Sequence, residues 1–289
     1  MNGLLFPGQG SQSVGMGKNV FEKLASARLI LEEASDLLGY DLKKILFDGP
    51  PETLTDTKIA QPAIYTCSAM YLEKVRADGL EYEFVAGHSL GEYSALYAAD
   101  VFSFAEGLHL VDQRGRSMSM MNGKGTMAAV LGLPEQALIP LLPPSVVIAN
   151  LNTPFQIVVS GDVSGINALE QALCQMESVK FRRLHVSAAF HSPQMKSAAD
   201  TMKPIIEQTP FKSPRCRVVS NITGRTAFSA AEIKHNLIHQ MTGQVRWIDT
   251  ILTMKQAGVT MLYEVGCSKV LMKMNKAITF RPKCVNLEI

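Results

Sequence analysis

The sequence predicts an α/β protein whose larger body is interrupted by a small β-α-β-β-α-β unit, and three observations carry that expectation. An apolar run, Phe84-Val85-Ala86, leads into Gly87-His88-Ser89-Leu90-Gly91-Glu92 and then an alanine-rich stretch, Tyr93 to Ala99, which reads as strand, sharp turn and helix. Short apolar runs alternate with stretches of helical period through most of the chain. Between Gly123 and about His185 the pattern changes to strands and helices in the order β-α-β-β-α-β.

Leu4-Leu5-Phe6 is a buried strand ending at Pro7, and it delivers the loop Gly8-Gln9-Gly10-Ser11-Gln12. That loop invites a phosphate-cradle reading, but G-x-G-x-x-G is incomplete; the competing reading is close approach of backbone amides to a reacting oxygen. Helical spacing runs from Val20 to Leu38, with Gly39 as its cap, and Gly49-Pro50-Pro51-Glu52 is a turn. Thr55 to Gln61 leads into a helix started by Pro62 and running from Ala63 to Arg76, closed by Gly79. After the turn at Ser89, Phe104 to Met121 is helical and carries Arg114.

In the inserted unit, Thr126 to Leu133 is a strand and Pro134 to Leu142 a helix. Val146 to Leu151 and Phe155 to Ser160 are strands joined by Asn152-Thr153-Pro154, followed by a helix, Val163 to Met176, and a strand, Phe181 to Leu184. This order is ferredoxin-like, so residues 123–185 are expected to form a subdomain and residues 1–122 and 186–289 the larger body. That body continues with a helix, Met195 to Glu207, a strand, Arg217 to Ser220, helices Ile233 to Met241 and Trp247 to Ala257, and a strand, Met261 to Val265. Gly266-Cys267-Ser268 then makes a second strand-to-helix turn.

Of the 289 residues, 47% are hydrophobic and 19% charged, the balance of an ordinary globular protein, and the net charge is +2. No Lys/Arg stripe interleaved with aromatics marks a nucleic-acid binder, and no run reaches the ~18 apolar residues of a membrane span. Five cysteines, an odd number with no C-x-x-C pair, suit reduced thiols in a cytoplasmic protein, and the amino-terminal residues do not form a signal peptide. A monomer is the default expectation.

The turn at Ser89 is a nucleophile elbow, the signature of an α/β-hydrolase-like core. Its glycines fit because the backbone is strained there and neighbouring segments come close, while the following helix N-terminus favours a developing oxyanion. G-x-S-x-G arises by chance in roughly one chain in ten of this length. The strand-to-helix context therefore carries the reading.

A serine needs a base within hydrogen-bond reach. Of six histidines, His88 should point away from its neighbour, and His109 lies in a helix where a structural role is the default. His235 and His239 stand at i and i+4, a zinc-compatible spacing with no third ligand in evidence. His191 sits in a short loop of small residues ahead of Pro193, where an imidazole at a cleft edge and a packed side chain are equally good readings.

Gly8-Gln9-Gly10-Ser11-Gln12, Gly87-His88-Ser89-Leu90-Gly91-Glu92, Gln113-Arg114-Gly115, Ala189-Phe190-His191-Ser192 and Tyr263-Glu264-Val265-Gly266 together resemble the malonyl-CoA:acyl-carrier-protein transacylase family in order and approximate spacing. The resemblance implies a Ser89–His191 dyad whose third member is the backbone carbonyl of Gln240, ahead of Val245-Arg246-Trp247. It also implies an oxyanion hole from the amides of Gln9 and Leu90, and Arg114 as holder of the malonyl carboxylate. An arginine suits that task because its planar fork meets a carboxylate with two parallel bonds. Phe190 would exclude an α-methyl branch, worth about 1 to 3 kcal/mol, and Leu90 points the same way.

Gly243-Gln244 and Cys267 depart from the family's Asn-Pro and proline at those positions. The implied activity is malonyl transfer from CoA to a carrier-protein thiol without metal or organic cofactor. The Ala188-Ala189-Phe190-His191-Ser192 segment leans toward polyketide assembly, served in trans, over fatty-acid synthesis. Two other enzyme readings stay open: an editing hydrolase of carrier-bound acyl chains, although such relatives lack the arginine, and an esterase with Asp100, Asp112 or Asp162 as triad acid. A non-catalytic binding module would leave nucleophile, base and arginine unexplained.

Overall fold

The computed structural model describes residues 1–289 apart from Ser187, Cys267, Phe280, Glu288 and Ile289, so the expected departure at Cys267 lies outside the described residues. Strand β1 (Asn2–Phe6) is followed by α1 (Lys18–Lys23), α2 (Ala25–Leu38), α3 (Leu42–Asp48), α4 (Pro51–Thr55) and α5 (Thr57–Ala77). Then come β2 (Phe84–Gly87), α6 (Gly91–Ala98) and α7 (Phe104–Ser119). The middle segment holds β3 (Thr126–Leu131), α8 (Glu135–Leu138), β4 (Val146–Thr153), β5 (Gln156–Gly161), α9 (Val163–Leu173) and β6 (Lys180–Arg183). The chain closes with α10 (Lys196–Gln208), β7 (Arg217–Val219), β8 (Thr226–Ala227), α11 (Ala230–Gln240), α12 (Trp247–Gln256), β9 (Met261–Glu264), α13 (Val270–Asn275) and β10 (Lys283–Asn286).

A six-stranded sheet has the order β10-β9-β1-β2-β7-β8, parallel except for the β7-β8 pair. Its central strands are apolar at successive positions because both faces are covered. Leu4, Phe6 and Val85 enter one core with α5 and α7, while Leu5, Phe84 and Ala86 enter another with Trp247 and Ile251 of α12. The second sheet, order β4-β5-β3-β6, is antiparallel between β4 and β5, β5 and β3, and β3 and β6. Its own core sets Ala128, Val130, Ile157 and Val159 against Ile166 and Leu169 of α9. The antiparallel sheet is tied to the segment ahead of α12: the Leu151 amide donates to Val245 O at 2.9 Å, and the Val245 amide to Ala149 O at 2.8 Å.

Local chemistry sets most helix ends. Asp41, Asp56, Ser103, Asp162 and Ser229 each cap a helix by accepting from a backbone amide of its first turn, and Ser103 and Glu106 complete a capping box. Gly39 closes α2 at φ 73°.

Three sequence expectations need correction, and two strands are additional. The stretch from Val20 to Leu38 is two helices, because Leu24 is extended (φ −120°, ψ 124°), which turns Val20 and Leu31 into the same core. Pro62 lies inside α5, whose start Asp56 caps five residues upstream of Gln61; Gln61 is thereby fully buried on that helix. The expected helix from Pro134 to Leu142 is one α turn followed by a 3-10 turn, Ile139–Leu141. Strands β8 and β10 were not predicted, since each is an edge paired on one side only and lacks the apolar run of a central strand. No helix among the described residues is long and apolar enough to cross a membrane.

Candidate active site

The elbow lies between β2 and α6, at the carboxyl end of the central strands. Ser89 has φ 52°, in the left-handed region that costs a non-glycine residue about 1 to 3 kcal/mol. Two glycines permit it: a Cβ on Gly87 would lie 1.8 Å from Gly91 O, and one on Gly91 would lie 2.0 Å from Phe6 O and 2.9 Å from Pro7 O. The loop leaving β1 therefore passes directly over the elbow and carries Gln9 with it. Gln9 is pinned by its side chain, which donates to Thr57 Oγ1 at 3.1 Å. Among the described residues, no backbone or side-chain acceptor takes the amide of Gln9 or of Leu90. The Ser89 amide, by contrast, is occupied, donating to Asn221 Oδ1 at 2.7 Å, while Asn221 Nδ2 donates to Gly87 O at 2.6 Å.

His191 comes from the other side of the cleft, 102 positions away, and its Nε2 stands 2.7 Å from Ser89 Oγ. It too is held in the left-handed region, at φ 55°. Ser192 fastens this turn by donating to Ala189 O at 2.6 Å. His191 Nδ1 lies 3.1 Å from Gln240 O and 3.1 Å from Gly243 O. Both are carbonyls and can only accept, so Nδ1 carries the proton and Nε2 presents its lone pair to the serine hydroxyl.

Gln240 is the last residue of α11, and a helix's final carbonyls have no partner within the helix and carry partial negative charge. That end is thus able to orient a neutral imidazole and to stabilise an imidazolium. In the resting site burial, followed by the Arg114 charge, pulls the His191 pKa down to about 3. The ring is neutral at physiological pH.

Arg114, on α7, is 1% exposed. Its Nη1 donates to Gln61 Oε1 at 2.8 Å, and Nη2 donates to Gln240 Oε1 at 3.1 Å and to Ser89 Oγ at 3.2 Å. Its Nε has no acceptor among the described residues, and the Tyr93 ring lies beneath the guanidinium, 5.6 Å to the centroid. Burial draws the Arg114 pKa below its ordinary value against the opposing fields of Tyr93 and Glu92. A desolvated cation facing only neutral acceptors is suited to receive an anion.

Five residues with contacts here were given no role from the sequence. Gln61 and Asn221 have no motif; their positions depend on α5 beginning early and on β7 pairing with β2. Gly243 contributes a carbonyl where the sequence showed only a departure. Glu92, three residues after the nucleophile, is buried, accepts from Gln240 Nε2 at 2.7 Å, and is pushed above its ordinary pKa by desolvation. Asn152 Oδ1 accepts from His88 Nε2 at 2.8 Å, so His88 faces away from the serine and ties the elbow to β4. Phe190 is buried beside His191.

Away from Ser89, the His235 and His239 rings lie 4.4 Å apart, tilted by 46°, and no cluster of ligands that could hold a metal occurs among the described residues. The aspartates weighed as triad acids are engaged elsewhere: Asp100 with Arg76 and Arg215, Asp112 with Arg116, and Asp162 as cap of α9.

Hydrogen bonds thus bring Ser89, His191 and the buried Arg114 guanidinium together, and the family model described as acyl transferase domain matches residues 4–268. The chain belongs to the acyl transferase domain family. It is 38% identical over 289 residues to a malonyl CoA-acyl carrier protein transacylase of Bacillus subtilis strain 168, covering 97% of this chain and 91% of that one. With the polyketide biosynthesis malonyl CoA-acyl carrier protein transacylase PksC of the same organism it shares 37% over 273 residues, 92% of this chain and 93% of that one. Among solved structures, an acyl-carrier-protein S-malonyltransferase from Bartonella henselae matches with TM-score 0.95 and 35% identity, covering 100% and 95% of the two chains. PlMCAT, solved with the type II PKS acyl-carrier protein AntF, matches with TM-score 0.95 and 32% identity over 99% and 95%.

Proposed function

We propose that this member of the acyl transferase family moves a malonyl group from CoA to the phosphopantetheine thiol of an acyl carrier protein through an ester on Ser89. The observation that carries the reading is Arg114, a buried guanidinium one hydrogen bond from the serine hydroxyl. An esterase or an editing hydrolase has no use for a desolvated cation there.

In the first half-reaction Ser89 Oγ attacks the thioester carbonyl while His191 Nε2 takes its proton. The tetrahedral oxyanion is met by the Gln9 and Leu90 amides. The C–S bond breaks, and the CoA sulfur leaves with the proton from His191. In the second, the carrier thiol passes its proton to His191 and its sulfur attacks the ester carbonyl; the C–Oγ bond breaks and Ser89 recovers the proton. Arg114 holds the malonyl carboxylate throughout, and the chain's own groups suffice without metal or organic cofactor. Phe190, which precedes His191 and is buried, is read as the residue that excludes an α-methyl branch.

The product is assigned to polyketide assembly, supported by the likeness to PksC and to PlMCAT; fatty-acid synthesis is the second reading, favoured by the Bacillus subtilis relative of 38% identity. We further read residues 1–122 and 186–289 as an α/β-hydrolase-like core, supported by the elbow and the parallel sheet. Residues 123–185 are read as a ferredoxin-like subdomain, supported by the order β4-β5-β3-β6. The cytoplasm is the proposed location.

Incubation with labelled malonyl-CoA is expected to leave an ester on Ser89, and label retained by Ser89→Ala refutes the reading. The base is also testable by pH. With His191 held at about 3 it is already neutral at pH 5, so kcat/KM for loading should be flat from about pH 5 to 8 and fall only below that. A tenfold decline on acidification through about pH 6.5, the ordinary histidine value, would contradict this.

A further inference from the structure

Two opposite charges lie buried beside the dyad without touching. Arg114 is 1% exposed and Glu92 3%, and the Gln240 side chain stands between them. Its Oε1 accepts from Arg114 Nη2 at 3.1 Å, and its Nε2 donates to Glu92 Oε2 at 2.7 Å and to Ser89 O at 2.7 Å. The other Glu92 oxygen takes the Ser220 hydroxyl at 2.9 Å and the Asn221 amide at 3.1 Å.

A carboxylate and a guanidinium so deeply buried gain most when they meet fork to fork, since bonds between ions are roughly twice as strong as neutral ones. An amide keeps this pair apart. The consequence is that Arg114 feels a neighbouring negative charge while its fork meets only neutral oxygens, those of Gln61, Gln240 and Ser89.

Resting on the malonyl-transfer reading, we propose that Glu92 and the Gln240 side chain form a yielding holder for Arg114, and that this holder sets the preference for an acyl group bearing a carboxylate. Glu92 is a positioning residue acting through Gln240. It fixes the amide so that the oxygen, not the NH2, faces the guanidinium, and it offsets the desolvation of that cation without occupying it. An incoming carboxylate displaces the amide oxygen, exchanging a neutral acceptor for a charged one. The Gln240 backbone carbonyl meanwhile stays on His191 Nδ1, so the base keeps its orientation while the side chain changes partners.

The test compares acyl loading from malonyl-CoA and from acetyl-CoA in the full chain. The double variant Glu92→Gln/Gln240→Glu conserves net charge but puts a carboxylate directly on Arg114. Its malonyl-to-acetyl ratio of kcat/KM is expected to fall tenfold or more, chiefly through a higher malonyl KM, on the order of one charge-assisted hydrogen bond. A ratio within about twofold of the parent overturns the proposal. In Glu92→Gln alone, which retains the shape but removes the counter-charge, malonyl KM is expected to fall; a packing role predicts an unchanged or higher KM, and that result also overturns it. Arg114→Ala separates the two levels of inference: if it leaves the ratio unmoved, the malonyl-transfer reading itself fails.

Discussion

Changing His191 to alanine is expected to slow acyl loading by about a hundredfold to ten-thousandfold, the usual contribution of a positioned general base. The serine would retain its oxyanion donors and the Arg114 contact, so a residual rate rising with pH should remain as hydroxide replaces the lost base. Stopped-flow or quenched-flow loading from malonyl-CoA between pH 6 and 9 checks both the drop and the slope. The reason for expecting so large an effect is geometric: Nε2 stands 2.7 Å from Oγ, and two carbonyls at 3.1 Å hold the ring in the tautomer a base requires. Parent-like loading by His191→Ala would remove the imidazole from the mechanism.

Changing Arg114 to alanine is expected to reduce kcat/KM for malonyl loading by a hundredfold or more, about 3 kcal/mol, as for truncating one partner of a buried hydrogen-bonded charge pair. Acetyl loading should fall much less, because the acetyl group has no carboxylate to leave unpaired. The acetyl rate should still drop somewhat, since Nη2 also donates to Ser89 Oγ at 3.2 Å and favours the alkoxide character that develops during attack. Arg114→Lys should recover only part of the malonyl rate, because an ammonium is a point donor and cannot meet a carboxylate with two parallel bonds. Steady-state loading with the two thioesters measured side by side gives the ratio, and equal losses for both would remove Arg114 from carboxylate recognition and with it the malonyl-transfer reading.

The parts of the site legible in the chain are those with local rules. The turn by itself demands a glycine at 87, because a Cβ there would meet Gly91 O, while the glycine at 91 is demanded by Phe6 O of the neighbouring strand. The central strands announce themselves by unbroken apolar runs, and the middle segment by its change of order. Edge strands β8 and β10 were hidden for the converse reason: half-satisfied strands carry no run to detect. Leu24 and Pro62 misled because a helical period and a proline are local cues, whereas the break at Leu24 and the early start at Thr57 serve packing on a common core.

Read residue by residue, the sequence pointed to Ser89, its turn and the α/β alternation, since each follows from covalent geometry or burial at one stretch of chain, whereas the part given to Arg114 came from the family resemblance. Residue-by-residue reading left His191 open among six histidines and the resemblance alone singled it out; the tertiary structure sets it 2.7 Å from Ser89 across 102 positions, and only the tertiary structure shows Glu92 and Arg114 linked through Gln240 without touching. Hydrogen bonds between distant segments depend on where sheets and helices converge. That convergence is set by the burial of entire faces, and no short motif records it.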